Sequence, residues 1–405
     1  MHADLIIVGA GMVGSTLALA LKDSGLKIIL VDRGPLTVAP FSPEQPFAPR
    51  VSALSMASQR ILERVQAWPG VLKRRVSPYS DMHVWDGSGT GKIDFSASSV
   101  HSDVLGHIVE NTLVQDALLE QLHASDITLV ADTSVEQLRH SSAGWLMQLS
   151  DGGEIHSPLV IAADGANSAI RSLTGCATRE WDYLHHAIVT SVRCEKPHQA
   201  TAWQRFTDEG PLALLPLQRQ DGQHWCSIVW SVPAQRAQEI MTLDNAAFCQ
   251  ALGKASEYRL GTIEHADARH SIALRQRHAK RYVEPGLALI GDAAHSIHPL
   301  AGQGVNLGFL DAAVLAEVLL HALQRGENIA SERVLSRFER RRMPNNLAMM
   351  AAMEGFQHLF QADALAVRWL RNSGLKMVDN LSQAKTLFVR QAMGLSRDLP
   401  DLAKP

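Results

Sequence analysis

The sequence has few cysteines and almost no excess charge. Its 405 residues include four cysteines, at positions 176, 194, 226 and 249, which form no CxxC pair. This spacing favours neither a zinc knuckle nor a dense disulfide framework, and it is typical of a reduced, cytosolic protein. The 38 Lys and Arg residues nearly balance the 41 Asp and Glu residues, for a formal net charge of −3. The chain therefore lacks the basic field that non-specific nucleic-acid binding requires.

Long apolar runs are absent as well. No stretch reaches 18 consecutive apolar residues, which argues against a membrane-spanning helix. Asp4 precedes the first apolar run without a basic segment ahead of it, so the N-terminus does not resemble a secretory signal. A chain of this length is expected to form two or three structural units. We expect a cytoplasmic protein whose contact with any membrane is peripheral.

The first 32 residues have the pattern of a βαβ unit. An apolar run at 5–8 is followed by Gly9, Gly11 and Gly14, by a helical stretch and by a second apolar strand that ends at Asp32. In such a GxGxxG turn the glycines permit a tight turn, close approach of a diphosphate and close helix packing. The N-terminus of the helix favours the phosphate charge. With a carboxylate placed to bind a ribose, this unit predicts a site for FAD or NAD.

Two further polar segments follow buried-type strands. Asp164 and Gly165 come after the apolar run at 159–162, and Gly291 and Asp292 come after a second such run. Either segment alone would be an ordinary turn. Three segments of this kind in one chain favour a single dinucleotide site assembled from separated parts of the sequence.

The remaining regions give coarser predictions. Residues 50–54 are predicted to open a helical segment. From about residue 181 to residue 270, strand-like pieces alternate with Pro, Gly and polar turns, which predicts a mainly antiparallel insert. After Pro344 the chain is predicted to be helical to Gly394.

A long signature from His298 to Asp311, with the sequence HPLAGQGVNLGFLD, completes the pattern. Together with the three segments above, it resembles the FAD-dependent aromatic hydroxylases of the para-hydroxybenzoate hydroxylase type, and within them the ubiquinone-biosynthesis hydroxylases. Further stretches that resemble this group are GHIVEN at 106–111, WDY at 181–183 and RQAMGL at 390–395. The resemblance therefore extends over the whole chain.

The resemblance implies an α/β fold with a Rossmann-like FAD-binding domain, a mainly antiparallel β substrate domain and a C-terminal helical region. The FAD-binding domain would be discontinuous and would comprise residues 1–78, 104–176 and 272–345. The substrate domain would comprise residues 79–103 and 177–271, and the helical region residues 346–405.

The resemblance also assigns FAD contacts to residues that are scattered along the chain. The group expected at the ADP half comprises Gly9, Gly11, Gly14, Asp32 and Arg33, with Asp32 standing where many relatives have Glu. The group expected near the diphosphate and the ribityl chain comprises Arg50, Asn111, Gly291 and Asp292. The group expected against the isoalloxazine comprises Pro299, Gly302, Gln303, Gly304, Val305 and Asn306. Asp164 and Arg171 are implied to serve both the FAD geometry and the passing nicotinamide cofactor.

The turn at 302–304 has a physical meaning of its own. A reduced flavin carries negative charge on one edge of its ring, and backbone N–H groups at a helix N-terminus stabilise such a charge. Small residues let those groups come close. A helix that begins near Asn306 would supply them.

The activity implied is hydroxylation of the aromatic ring of a polyprenylated phenol or quinol, with FAD, O2 and NAD(P)H, through a flavin C4a-hydroperoxide. The stretches at 106–111, 181–183 and 390–395 resemble the 2-polyprenylphenol hydroxylase that acts at ring carbon 5. Those at 203–207 and 282–286 are closer to the demethoxy-quinol hydroxylase. A 6-methoxyphenol hydroxylase, a flavin dehydrogenase or oxidase, and a lipid-binding protein without flavin are the alternatives. The choice between NADH and NADPH, the length of the prenyl tail, the oligomeric state and contacts with other ubiquinone-biosynthesis proteins stay open.

No side chain stands out as a catalytic base, and His298 and Pro299 are the candidates by position beside the expected flavin ring. His295 and His298 have HxxH spacing and His185 and His186 are adjacent. Neither pair has the carboxylates or cysteines that would complete a ligand set, so we predict no metal site.

Two other groups of residues have competing interpretations. The arginines at 337, 340, 341 and 342 are expected to form a solvated helix face or to pair with Glu332 and Glu339, with anionic lipid or a protein partner as the second interpretation. The tryptophans at 181, 203, 225 and 230 either pack the sheet or line an aromatic substrate pocket.

Overall fold

The structure, a computed structural model, describes residues 1–87, 91–296, 304–361, 393–394 and 398–405, and for residues 356–361 it describes the backbone alone. The helices in these ranges are α1 (Met12–Ala20), α2 (Met56–Arg64), α3 (Trp68–Leu72), α4 (Asn111–His123), α5 (Ala169–Leu173), α6 (Ala234–Thr242), α7 (Asn245–Ala255), α8 (Gly304–Gln324) and α9 (Glu332–Gln361). The strands are β1 (Leu5–Val8), β2 (Ile28–Val31), β3 (Val51–Ser55), β4 (Ser77–Tyr79), β5 (Asp81–Asp86), β6 (Lys92–Ser96), β7 (Gly106–Glu110), β8 (Thr128–Val130), β9 (Val135–Ser141), β10 (Gly144–Leu149), β11 (Glu154–Ser157), β12 (Leu159–Ala162), β13 (Thr178–Cys194), β14 (Thr201–Thr207), β15 (Gly210–Leu217), β16 (His224–Pro233), β17 (Ile263–Ala266), β18 (His270–Ala279), β19 (Val283–Glu284), β20 (Leu287–Leu289) and β21 (His295–Ser296).

A six-stranded sheet with the order β19-β20-β12-β1-β2-β8 forms the centre of the larger core. The pairs β20-β12, β12-β1, β1-β2 and β2-β8 are parallel, and the edge pair β19-β20 is antiparallel. Every residue of β1, β2 and β12 is buried, as expected for parallel strands covered by helices on both faces. Because these strands are parallel, the turns that follow β1, β12 and β20 meet at one edge of the sheet.

A second, larger sheet has the order β21-β18-β13-β16-β15-β14-β5-β6, with β17 added to β13. Its pairs are antiparallel except for β14-β5, which is parallel. One face packs against α6 and α7. The opposite face carries Ala213, Val229 and Val189 in one cross-strand row, and we call it the inner face.

The inner face packs against a three-stranded sheet with the order β3-β7-β4. The cluster between the two sheets combines Ala53, Tyr79 and Ile108 with Ala213 and Leu215. The inner face is thus held beside the region that contains the glycine-rich turn.

Helix α8 packs against helices α1, α2 and α9 and against strand β3. It is long and apolar enough to cross a bilayer, but 72% of its most apolar 18-residue window is buried within the protein. Such burial is typical of a core helix. Helix α9 continues through Pro344, so residue 345, where the sequence suggested a domain boundary, lies inside a helix. The predicted helical stretch at 362–392 lies outside the described residues.

The α/β fold class predicted from the sequence is confirmed, and one local prediction is wrong. Residues 51–55 form β3 rather than a helix, because they pair with β7 in an antiparallel ladder. The helix starts at Met56, where the Ser55 side chain accepts a hydrogen bond from the Ser58 N–H. Helix α8 also begins at Gly304, earlier than the expected start near Asn306.

Candidate active site

The glycine-rich turn joins β1 to α1 and packs directly on the end of β12. Gly9 has a φ of +102°, and a Cβ there would collide with the backbone of Ala163 and Asp164. A Cβ on Gly14 would collide with the carbonyl oxygen of Gly9. By contrast, a Cβ on Gly11 would have no atom within 4 Å. The turn is therefore closed on its protein side and open at Gly11, the N-cap of α1, where a diphosphate would meet the helix N-terminus.

Asp32 lies beside this turn at the end of β2. Its Oδ2 accepts a hydrogen bond from the Ala10 N–H at 2.7 Å, and its Oδ1 accepts one from the Gly34 N–H at 2.8 Å. A carboxylate oxygen can accept two hydrogen bonds, so the oriented Asp32 carboxylate has capacity for ribose hydroxyls. Arg33 follows it and is exposed. The carboxylate geometry fits the adenosine end of FAD.

Asp164 follows β12 and organises the next turn. Its Oδ2 accepts hydrogen bonds from the N–H groups of Ala169, at 2.7 Å, and Ile170, at 3.2 Å, at the start of α5. Its Oδ1 is buried and has no hydrogen-bond partner within the described part of the chain. An unpaired buried carboxylate oxygen is costly, which fits a position that a ligand completes.

Arg171 connects this turn with the one after β20. Its guanidinium donates to the carbonyl oxygens of Ala293, at 2.8 Å, and Ala166, at 2.7 Å. Burial, and then the nearby charge of Arg277, lower the pKa of Arg171. The side chain thus holds two of the predicted FAD segments together. Its implied contact with a nicotinamide cofactor stays a prediction.

Gly291 and Asp292 form a short turn directly after β20. The Asp292 side chain remains accessible to solvent, yet the protein around it displaces enough water to raise its pKa, an effect that His295 and Arg50 oppose. Arg50 is therefore close enough for its charge to act on Asp292. The Asn111 N–H donates to the Arg50 carbonyl at 3.0 Å. The structure thus brings the predicted diphosphate and ribityl residues near one another.

Asn306, near the start of α8, makes its hydrogen bonds within the protein. Its Nδ2 donates to the Ala53 carbonyl at 2.8 Å, and its Oδ1 accepts from the Ser55 N–H at 3.0 Å and the Ser58 hydroxyl at 2.6 Å. These bonds fix the start of α8, with Gly304 and Val305, against β3 and α2. The predicted residues His298, Pro299, Gly302 and Gln303 lie outside the described residues.

A buried ionic network behind the Gly291 turn is a feature that the sequence did not reveal. Asp311 is fully buried; its Oδ2 lies 2.5 Å from His295 Nε2 and accepts from the Gly291 N–H at 3.1 Å. Its Oδ1 accepts from Arg342 Nε at 2.7 Å and from Asn346 Nδ2 at 3.2 Å. The network thus joins α8, α9 and the turn that carries Asp292. Asp311 and Arg342 are 31 residues apart, so no local spacing in the sequence could have indicated the pair.

The same network extends to Tyr282 and His278. Asn346 Nδ2 donates to the Tyr282 hydroxyl at 3.3 Å, and that hydroxyl lies 3.0 Å from His278 Nε2. Burial alone would raise the pKa of Asp311, but His295 and Arg342 hold it well below its usual range. Burial, with the charges of His295 and Arg179, lowers the pKa of His278 to about 4. Within the network, Asp311 therefore stays ionised and His278 stays neutral near pH 7.

Gln204 on β14 is a buried polar residue on the inner face. It pairs with Ala213 of β15 on one side and with Val84 of β5 on the other. Its side chain is only 6% exposed, and its Oε1 has no hydrogen-bond partner among the described residues. No local motif singles out this residue as a functional one, because only the register of three strands places it here.

The four tryptophans divide between the two faces of the large sheet. Trp203 and Trp230 pack with α6 and α7 on the face opposite the inner face. Trp225 belongs to the cluster of the inner face. Trp181, which pairs with the buried Gln276, lies near the edge and is partly exposed. The tryptophans therefore do not form one pocket.

The arginine cluster is likewise divided, and its predicted pairing is wrong. Arg337 pairs with Glu327 at 2.5 Å, and Arg341 pairs with Glu317 at 2.6 Å. Arg342 is buried against Asp311. Since α9 packs along α8, three of these arginines point towards neighbouring elements instead of forming one solvated surface.

His185 and His186 bond to different neighbours. His185 Nδ1 lies 2.7 Å from the Tyr183 carbonyl oxygen, and His186 Nδ1 lies 2.9 Å from the Ser271 hydroxyl. No group of three or more His, Cys, Asp or Glu residues suited to a metal ion occurs in the described ranges.

Comparisons with known proteins agree with this geometry. The family described as "FAD binding domain" matches residues 2–353. The chain is 37% identical over 393 residues to the 3-demethoxyubiquinol 3-hydroxylase of Escherichia coli (strain K12), covering 97% of this chain and 98% of that protein. It is 33% identical over 430 residues to the mitochondrial ubiquinone biosynthesis monooxygenase COQ6 of Xenopus tropicalis, covering 94% and 91% of the two chains.

Among solved structures, the p-nitrophenol 4-monooxygenase PnpA from Pseudomonas putida DLL-E4 superimposes with a TM-score of 0.76 at 19% identity, over 98% of this chain and 99% of that one. At this identity the likeness shows the fold. The family match and the full-length relatives confirm the predicted flavoprotein monooxygenase. The chain therefore belongs to the FAD-binding domain family and, within it, to the FAD-dependent monooxygenases that include the ubiquinone-biosynthesis hydroxylases.

Proposed function

We propose that this protein hydroxylates the aromatic ring of a polyprenylated phenol or quinol in ubiquinone biosynthesis, with FAD as its cofactor, O2 as the oxygen source and NAD(P)H as the electron donor. Relatives that match nearly the whole chain and are named for ubiquinone hydroxylation support this proposal. When bound, reduced FAD supplies the activation of O2 that no amino-acid side chain provides. The chain's own residues bind and orient the reactants.

The unpaired Oε1 of Gln204 is the observation that carries the substrate proposal. A side-chain amide can both accept and donate hydrogen bonds, and a phenol needs a partner for its hydroxyl once it leaves water. The neighbours Ala213 and Val84 offer apolar contact to a ring. We infer that the ring lies against the inner face with its hydroxyl bonded to Gln204.

The packing around Gln204 also protects the site from water. The apolar cluster that joins the inner face to β3, β7 and β4 includes Phe47, Leu215 and Trp225. Exclusion of water strengthens the hydrogen bond at Gln204 and prevents loss of the activated oxygen. Asp292 and the turn at Gly11 would hold the cofactor.

For the ring position we propose carbon 5 of a 2-polyprenylphenol. This proposal depends on the resemblance of the stretches at 106–111, 181–183 and 390–395 to that hydroxylase. The second candidate is the demethoxy-quinol intermediate, which is favoured by the 37% identity to a 3-demethoxyubiquinol 3-hydroxylase. We further propose a cytoplasmic location with peripheral contact to the inner membrane.

Genetic complementation would test the function and the ring position together. The gene is expressed in bacterial strains that each lack one ubiquinone hydroxylase, and the quinones are identified by mass spectrometry. Rescue of the strain that lacks the carbon-5 hydroxylase is expected, whereas rescue of the strain that lacks the demethoxyubiquinol hydroxylase alone would select the second candidate. Rescue of no strain, with soluble flavin-loaded protein present, would contradict the pathway assignment.

Isotope labelling would separate a hydroxylase from a dehydrogenase of the same fold. Purified protein is given FAD, NADH or NADPH, a short-chain 2-prenylphenol and oxygen-18 gas. One labelled oxygen atom in the ring product is expected. An oxidised but unlabelled product would contradict the monooxygenase reaction for this substrate.

A further inference from the structure

Residues 35–49 form an irregular segment that contains five prolines, and we call this segment the proline loop. The structure describes the whole loop and shows neither helix nor strand in it. Proline has no N–H group to donate to a neighbouring strand, so bonds from side chains elsewhere in the chain hold the loop in place. The loop leads directly into Arg50, which is expected near the cofactor's diphosphate.

Arg75 is a buried side chain that binds the proline loop at several points. It is only 8% exposed. Its Nη1 donates hydrogen bonds to the carbonyl oxygens of Gln45, at 3.0 Å, and Pro43, at 3.2 Å. Its guanidinium carbon lies 4.1 Å from the centroid of the Phe47 ring, which is close enough for a favourable cation–π contact. One guanidinium thus contacts three residues of the loop at once.

Glu110, the last residue of β7, binds both Arg75 and the loop. It is 2% exposed, and its carboxylate oxygens accept hydrogen bonds from Arg75 Nε at 2.8 Å and Arg75 Nη2 at 2.9 Å. Such a bidentate pair fixes the relative orientation of the two planar groups. The same carboxylate accepts a hydrogen bond from the Ala48 N–H at 2.7 Å. We call Arg75 and Glu110 the anchor pair.

The anchor pair fixes the backbone on both sides of Arg50. Before Arg50, the Ala48 N–H is bonded to the Glu110 carboxylate. After Arg50, Val51 pairs with Glu110 in the antiparallel ladder of β3 and β7. Arg50 itself is exposed, and its charge acts on Asp292 in the candidate cofactor site. The backbone at Arg50 is therefore held in place while its charge stays available to a ligand.

The proline loop also contacts the large sheet. The centroid of the Phe47 ring lies 5.7 Å from that of the Trp225 ring on β16, and both residues belong to the apolar cluster of the inner face. Arg219, which follows β15, donates a hydrogen bond to the Glu44 carbonyl oxygen. The loop therefore connects the residue expected at the diphosphate with the sheet on which we propose that the aromatic ring binds.

Stability alone does not account for the anchor pair, because apolar residues of similar size often stabilise a buried site as well as an ion pair does. A forked guanidinium, by contrast, selects one geometry for the groups bonded to it. We propose that Arg75 is a positioning residue that sets Arg50 for the cofactor and Phe47 for the aromatic ring at the same time. Its action on Phe47 rests on the proposed function, whereas its action on Arg50 requires only the FAD site.

Arg75→Lys in the full-length protein would test this proposal. Lysine keeps a positive charge beside Glu110, but its single nitrogen cannot bond both carboxylate oxygens and the loop carbonyls as well. The dissociation constant for FAD, measured by flavin fluorescence with the apoprotein, is expected to rise about tenfold. The KM for a short-chain prenylphenol, measured at saturating FAD, is expected to rise about fivefold, because the loop no longer holds Phe47 in place.

Arg74→Lys is the matched control. Arg74 precedes Arg75 and pairs with Glu120, whose carboxylate is exposed, so both values are expected to stay within about twofold of the wild type. Hydrogen exchange followed by mass spectrometry reports on the loop itself. Amide exchange in the segment 39–50 is expected to be roughly tenfold faster in Arg75→Lys than in the wild type and unchanged in Arg74→Lys.

A variant Arg75→Lys that unfolds at a lower urea concentration but keeps the wild-type FAD affinity and KM would overturn the proposal, because the anchor pair would then serve stability alone. Should Arg75→Lys not fold, Phe47→Leu is the second test, since it keeps an apolar side chain but removes the aromatic face. It is expected to raise the KM about fivefold without changing FAD affinity, and an unchanged KM would also overturn the proposal. If the wild type does not turn over prenylphenols while Arg75→Lys still weakens FAD binding, the proposed function is contradicted and the positioning of Arg50 is supported.

Discussion

The imidazole Nε2 of His295 lies 2.5 Å from the Oδ2 of Asp311, and both side chains are buried. His295 follows the turn that carries Asp292, whereas Asp311 lies on the core helix α8. The contact therefore ties a predicted cofactor turn to a helix that is mostly buried within the protein. Arg342 on α9 approaches the same carboxylate from the other side.

Asp311→Asn is expected to lower the free energy of unfolding by about 3–5 kcal/mol, because it leaves the Arg342 charge buried without its counterion. Urea unfolding at pH 7 measures the change. Glu120→Gln removes a carboxylate that pairs with Arg74 but is itself exposed, and this control is expected to cost about 1 kcal/mol or less. Equal effects of the two substitutions would contradict the importance of the buried network.

The same Asp311 carboxylate makes the free energy of unfolding depend on pH in the acidic range. The pKa of Asp311 in the folded protein lies below the value near 3.9 of an unfolded chain. Its contribution is therefore present above about pH 4 and is lost as the pH falls through the folded pKa. Asp311→Asn is expected to be less sensitive to pH than the wild type below pH 4, as measured by urea unfolding.

His278 is expected to affect stability at higher pH. Its folded pKa of about 4 lies below the ordinary histidine value of 6.5, so between these values the unfolded chain binds a proton that the folded protein does not. Stability from this group is present above pH 6.5 and is lost as the pH falls towards 4, by up to about 3 kcal/mol. His278→Gln should flatten the stability profile in this window, and an unchanged slope would contradict the assignment.

Gly11→Ala should separate cofactor binding from folding. The backbone at Gly11, with a φ of −66°, suits alanine, and a Cβ there has no atom within 4 Å. The apoprotein is therefore expected to unfold within about 0.5 kcal/mol of the wild type. If a diphosphate approaches this atom, the dissociation constant for FAD should rise at least tenfold, measured by flavin fluorescence.

Gly14→Ala serves as the contrasting variant. Its Cβ would collide with the Gly9 carbonyl oxygen, so both the stability of the apoprotein and the FAD content should fall. Normal FAD affinity in Gly11→Ala would show that the open side of the turn does not face the diphosphate.

Gln204→Met is expected to make the protein more stable but to weaken substrate binding. Removing a buried side-chain oxygen that has no hydrogen-bond partner among the described residues should raise the free energy of unfolding by about 1 kcal/mol. The KM for a short-chain prenylphenol should rise at least tenfold with FAD affinity unchanged. Gln276→Met is the control: Gln276 is buried but accepts a hydrogen bond from Tyr183, so its loss should destabilise the protein. A lower stability of Gln204→Met would argue that the amide has a structural partner.

The sequence predicted best those features in which neighbouring residues act together. Strand β1, the glycine turn and Asp32 form one short unit, and the strand at 159–162 was delimited by its own apolar run. The helical prediction for residues 50–54 is wrong because the strand that pairs with residues 51–55, β7, is more than 50 residues away in the sequence. The burial of Arg342 could not be predicted for the same reason, because its partner Asp311 is 31 residues away. A run of arginines on a helix has the same sequence pattern whether it faces water or a buried carboxylate.

The candidate site shows the same limit. Gly9, Asp164 and Asp292 could be named from local motifs that follow strands. Gln204 could not, because its meaning depends on Val84 and Ala213 on neighbouring strands.

The strand order of the six-stranded sheet has a consequence for synthesis of the chain. Strand β12 lies between β1 and β20, and β20 ends at Leu289 of a 405-residue chain. At roughly 5–20 residues per second, the ribosome delivers this last parallel strand roughly 15–60 s after it begins. Until then the apolar edge of β12 lacks its neighbour. Nascent chains of this protein are therefore expected to need chaperone protection over this interval, and fragments that end before Leu289 should aggregate.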